Sequence, residues 1–183
     1  MSLQLISPPA SEPVTLAEAK AHLKIDTADE DALLGTLITA ARARAEWHTG
    51  RAFVTQGWKL RLDSWPHDGI AEIPLPPLVA VTEVAVISPD DIRSVLASAA
   101  YRVDTASAPG RLIFDDASPP LRRKDGVEIA FTAGYGGASA VPPAVKQAIL
   151  QIVADLHAHR GDENGAVGLA GQALLAPYRI FKL

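Results

Sequence analysis

His157 and His159 are the most metal-like pair of side chains in this sequence. On a helix, groups two residues apart point about 200° apart, because each residue turns the chain by about 100°. A shared ion needs ligands one turn apart, at i and i+4, so surface or interface roles are the commoner fate of such a pair. His22, His48 and His67 stand alone, and spacing assembles no Ser/His/Asp arrangement. Gly134-Tyr135-Gly136-Gly137 follows a predicted strand and precedes a predicted helix, which is where a phosphate loop sits. No Gly-Lys-Ser/Thr follows it, and Pro142 and Pro143 remove N–H groups from the helix start. The stretch therefore reads as a sharp strand-to-helix turn.

Asp90-Asp91 and Asp115-Asp116 could bind a cation, but both sit among serine and proline and read as solvated turns. Asp162-Glu163-Asn164 lacks the alternating spacing of a calcium loop. Arg122-Arg123-Lys124 is the one tight basic cluster, a candidate contact for a phosphate backbone or an acidic partner. Before Asp125-Gly126, a solvated hairpin tip is the commoner role. Trp47, Trp58 and Trp65 could stack on bases or sugars; packing in a core or an interface is the usual use of tryptophan at such positions. No nucleophile elbow, zinc signature, dinucleotide fingerprint or paired-carboxylate motif is present. No residue is a catalytic candidate, and no cofactor or metal is expected.

The composition is that of a folded chain: 48% hydrophobic and 21% charged over 183 residues. With no cysteine, disulfide scaffolds and thiolate metal sites are excluded. A net charge of −4, from 17 basic and 21 acidic residues, speaks against a dedicated DNA binder. No apolar run approaches the roughly 18–20 residues of a membrane span. Residues 1–9 lack a basic n-region and read as neither signal peptide nor anchor.

The elements that would position these residues follow from periodicity. Residues 1–13, with three prolines, read as an extended arm. Thr15 and Glu18 form a capping-box pattern ahead of a short helix carrying Leu16, Ala19 and Leu23 on one face. Thr27 and Glu30 offer a second box, and a helix is expected from about Asp29 to His48. Its apolar stripe is Leu34, Leu37, Ile38, Ala41 and Ala45, and Gly50 is its stop. From Ala52 the period becomes two. Short strands are expected at 58–62, 70–73, 79–87, 101–104, 111–114 and 127–132, forming an antiparallel sheet or small sandwich. Pro142-Pro143 opens a last helix with the stripe Val145, Ala148, Ile149, Ile152, Val153 and Leu156. The fold class is therefore α+β: a helical bundle made by residues 14–52 and 142–160, with an inserted antiparallel β domain at 53–141. Residues 161–183 follow a glycine-rich break and are apolar but poorly periodic. They either close the bundle in cis or dock on another protein, with Tyr178 and Arg179 of types favoured at interface hot spots.

The order Thr15–Asp26, Thr49-Gly50-Arg51, Phe131–Gly136, Val141–Ile149 and Leu174–Arg179 resembles the head–tail connector (adaptor) proteins of tailed bacteriophages and gene transfer agents. The resemblance runs from about Val14 to Arg179 and is weakest in the β portion. It implies a non-enzymatic subunit of a homo-oligomeric ring, commonly a dodecamer, located in the virion at the head–tail junction and made in a bacterial cytoplasm. Its partners would be the portal protein, the stopper or tail proteins, and DNA passing through the channel without sequence-specific binding. The helices would build the ring, the β insertion would be peripheral, and Leu174, Leu175, Tyr178, Arg179, Ile180 and Phe181 would dock on the portal or a neighbouring subunit. The tail is then expected to be mobile until it docks. A stopper or tail-terminator ring, and a small glycan- or ligand-binding module, are the other readings.

Overall fold

The computed structural model describes residues 1–114, 119–159 and 169–180. The chain forms two compact units. One, the β unit, contains residues 1–10 and 55–135; the other, the helical unit, contains residues 11–54 and 136–183.

In the β unit, five antiparallel strands follow the order β1-β2-β8-β4-β5. These are β1 (Ser2–Ser7), β2 (Gln56–Leu62), β4 (Leu78–Ile87), β5 (Arg93–Val95) and β8 (Val127–Ala133). Alternation in β8 is complete: Val127, Ile129, Phe131 and Ala133 are buried, and the residues between them are half-buried. Register carries this face sideways, since Phe131 pairs with Trp58 and Val81, and Ile129 with Leu60 and Val84. A second sheet, ordered β3-β7-β6, is made by β3 (Ile70–Ile73), β7 (Gly110–Phe114) and β6 (Tyr101–Asp104). Ile73 and Leu112 are its fully buried residues. Gly110 is required there: a Cβ at that position would lie 2.7 Å from the Leu78 Cβ. The expected arm at 1–13 is corrected: residues 2–7 are an edge strand on β2, with every residue exposed.

The other face of the larger sheet is polar. Glu128, with 11% of its side chain exposed, accepts hydrogen bonds from Arg61 Nε (3.1 Å), Arg93 Nε (3.1 Å) and Lys59 Nζ (3.4 Å). Arg93 also pairs with Glu83. Burial pushes the Glu128 carboxyl up, but the Arg61, Arg93 and Lys59 partners outweigh it and hold the carboxyl below its ordinary value. Such a depressed carboxyl stabilises the fold above its unfolded pKa of about 4.3, and the benefit disappears as pH falls through the lower folded value. Glu128→Gln is expected to lower stability by about 1–2 kcal/mol at neutral pH. Urea unfolding at a series of pH values should show that gap closing below about pH 4.

The helical unit contains α1 (Leu16–Leu23), α2 (Asp31–Thr49), α3 (Pro143–Ala158) and α4 (Leu169–Leu175). The capping box is formed as expected: Thr15 Oγ1 accepts from Glu18 N at 3.2 Å, and Glu18 Oε2 accepts from Thr15 N at 2.7 Å. Such a cap contributes about 1 kcal/mol. Gly50 ends α2 in the left-handed region, with φ 68°. The second box does not form. Glu30 precedes α2 without a side-chain cap, and its carboxylate instead faces His157 Nε2 at 2.8 Å. The core joins Leu34, Ile38, Ala41 and Ala45 of α2 with Val145, Ala148, Ile149, Ile152 and Val153 of α3. Phe53 and Val14 are buried as well.

Candidate docking surface

The C-terminal residues are fastened to the end of α2. After α4, Ala176–Tyr178 make one tight helical turn. Arg51 Nε donates to the Tyr178 carbonyl at 2.6 Å, and Ile180 N donates to the Thr49 carbonyl at 2.9 Å. The turn that ends α2 thus supplies both a carbonyl and a guanidinium to the returning chain. His48 lies in the same place: burial, and then the nearby Arg179 charge, lower its pKa from the ordinary value.

This arrangement divides the expected docking set. Leu175 is fully buried, so it closes the core of its own unit and is corrected as a docking residue. Leu174, Tyr178 and Ile180 are half-buried, and Arg179 is exposed. Phe181 lies outside the described residues. Residues 176–180, expected to order on docking, make these two contacts to Thr49 and Arg51 within their own chain. The reason is physical: docking Leu175 and pairing two backbone groups offsets the entropy of ordering a short segment.

The basic cluster is divided too. Arg122 is spent on its own turn, donating to the carbonyls of Lys124 (2.6 Å) and Asp125 (3.4 Å) and to Asp91 Oδ1 (3.1 Å). Arg123 and Lys124 are exposed at the tip. Gly126 is needed in this turn, because an added Cβ would lie 2.9 Å from the Arg122 carbonyl oxygen.

The remaining candidates find ordinary partners. Gly134 and Gly136 take φ of 130° and 131°, the turn that their spacing suggested. His157 faces Glu30, while His159 Nδ1 lies 2.9 Å from the Asp155 carbonyl, so the two rings point to different groups. Among the described residues, no group of His, Cys, Asp and Glu is arranged to hold a metal ion. Asp115-Asp116 and Asp162-Glu163-Asn164 lie outside the described residues. Trp65 packs edge-on against Phe114, with centroids 4.9 Å apart, and donates Nε1 to the Pro119 carbonyl at 2.9 Å. Trp58 lies beside Phe131 in the sheet. Trp47 alone among the three is open to solvent, at 85% exposed. Sequence reasoning placed Arg51 in the Thr49-Gly50-Arg51 motif but gave it no role in holding the tail, although its place directly after the helix-stopping glycine was the available signal. Among the described residues, no helix is long and apolar enough to cross a membrane.

The described chain is thus a capped helix pair, with its C-terminal residues clipped to the end of α2 and an antiparallel β unit between the two helical stretches of sequence. The chain belongs to the phage gp6-like head-tail connector protein family, whose model matches residues 13–105. Solved structures extend the likeness to the whole chain. The neck of an empty gene transfer agent (GTA) particle computed with C6 symmetry contains a chain 29% identical, with a TM-score of 0.85; the match covers 100% of this chain and 97% of that one. The virion of a native GTA particle contains a chain 27% identical (TM-score 0.84), and the neck of a native GTA particle computed with C12 symmetry another at 27% (TM-score 0.83). Both matches again cover 100% of this chain and 97% of the other. No curated protein matches the chain.

Proposed function

We propose that the chain is a non-enzymatic subunit of a ring under the portal of a phage or GTA capsid. The ring links the portal to the stopper or tail proteins and surrounds the channel through which DNA passes. The observation that most supports this reading is the full-length match to chains of solved GTA particles, helical and β portions alike. A dodecamer suits it, since a ring of twelve satisfies both the C6 and the C12 symmetry of those necks. The net charge of −4 fits a channel wall that lets DNA slide rather than one that releases counterions to hold it. Leu174, Tyr178, Arg179 and Ile180 are the proposed portal-docking residues, and Arg123 and Lys124 the proposed contact to DNA or an acidic partner.

Deleting the gene tests the reading. The expected result is capsids and tails that assemble separately and are rejoined when the full chain is supplied in trans. Normally joined particles in the deletion strain would overturn it.

A further inference from the structure

The outward side of α2 lacks the charges a solvent-facing helix ordinarily carries. Leu34, Ile38, Ala41, Ala45 and Thr49 face the core. At about 100° per residue, the opposite side holds Ala32, Leu33, Thr36, Ala40, Ala43 and Trp47, all exposed and none charged. Arg42, Arg44 and Glu46 flank this face and are half-buried. Even its hydroxyl is paired within the helix: Thr36 Oγ1 donates to the Ala32 carbonyl at 3.2 Å. At one end Leu33 is 36% exposed, and at the other Trp47 is 85% exposed. A tryptophan left so open gains nothing from its own fold, and tryptophan is the residue type most concentrated at interface hot spots.

We infer that this face of α2 is a contact surface for a second copy of the chain, with Trp47 inserted into a different face of the adjacent subunit. The inference rests on the ring reading above. A cyclic ring requires each subunit to present two unlike faces to its two neighbours, and this one is uncharged, apolar and free. DNA is a poor occupant, because the face offers no cation to a phosphate. The area explains when the contact forms. A 19-residue helix is about 28 Å long and 10–12 Å wide, so the face presents on the order of 300 Å². A stable free interface buries about 800 Å² per partner. The face therefore adds to a ring whose subunits are already held side by side, and does not by itself hold a free dimer.

The test is a photo-crosslinker, p-benzoylphenylalanine, in place of Trp47, supplied on the full chain to the deletion strain. At 85% exposure the substitution does not disturb the core. Irradiated, purified particles are expected to give a ladder at multiples of the 19.3 kDa chain, extending past the dimer, because each copy is linked to the next around the ring. A product that stops at the dimer, a crosslink to any other protein, or no crosslink from a chain present in the particle overturns the inference. Particles without the chain would instead count against the connector reading itself, so the two failures are distinguishable.

Discussion

Replacing Phe131 with alanine is expected to destabilise the β unit by about 3–5 kcal/mol. Phe131 is 1% exposed in β8, which has β2 on one side and β4 on the other. Its register partners are Trp58 and Val81, and Ile129 precedes it on the same face. Removing the ring leaves a cavity that three hydrogen-bonded strands cannot collapse to fill. Against a typical domain stability of about 5–15 kcal/mol, the loss takes much of the margin. Two of the three tryptophans, Trp58 and Trp65, lie in the β unit, and Trp47 lies in the helical unit. Fluorescence in a Trp47→Phe background therefore follows the β unit. Its urea midpoint should fall sharply in Phe131→Ala, and much less in Phe131→Leu. A loss below about 1 kcal/mol would contradict this packing account.

Arg42→Ala is expected to cost about 2–3 kcal/mol in the helical unit. Arg42, with 11% of its side chain exposed, donates from Nε to Glu12 Oε2 at 2.7 Å and from Nη1 to Glu46 Oε2 at 2.6 Å. Glu46 Oε1 in turn accepts from Phe53 N at 2.8 Å. One guanidinium thus ties together the segment before α1, the body of α2 and the segment after it. Its removal leaves two poorly solvated carboxylates facing each other, and that is a larger effect than the loss of an exposed pair, which is worth at most about 1 kcal/mol. Lysine, a point charge without the planar fork, should recover only part of the loss. Adding Glu12→Gln to Arg42→Ala should recover part by removing one carboxylate charge. Equilibrium unfolding of the three variants is the measurement; equal stability of Arg42→Ala and wild type would refute the network.

Much of the fold was legible, and the failures have physical causes. Alternation exposed β2 and β8 because each has one buried face, and the stripes of α2 and α3 exposed the helix core. β1 was hidden because an edge strand with both faces open has no hydrophobic period, and Pro8, Pro9 and Pro13 made its surroundings look like an arm. α4 was hidden because seven residues, one of them a glycine, are too few to show a helical period; the sequence there is Leu169-Ala170-Gly171-Gln172-Ala173-Leu174-Leu175. The tail residues were recognised as needing a partner, but apolar content cannot separate a partner in cis from one in trans. Leu175 found the first. Arg122 shows the same limit for charge, since a cationic cluster in sequence does not reveal which member its own turn consumes.

That division also decides how docking should be tested. Truncation after His159 removes Leu175 along with the docking residues, and so opens the core. Tyr178→Ala with Arg179→Glu leaves Leu175, and the Tyr178 carbonyl held by Arg51, in place. The most direct test of the connector account is co-sedimentation of the full chain with the portal protein of the same genome, followed by negative-stain imaging. The account predicts stoichiometric ring-on-ring particles that the double variant, folded like wild type, fails to form. A folded wild-type chain that leaves the portal bare would contradict it.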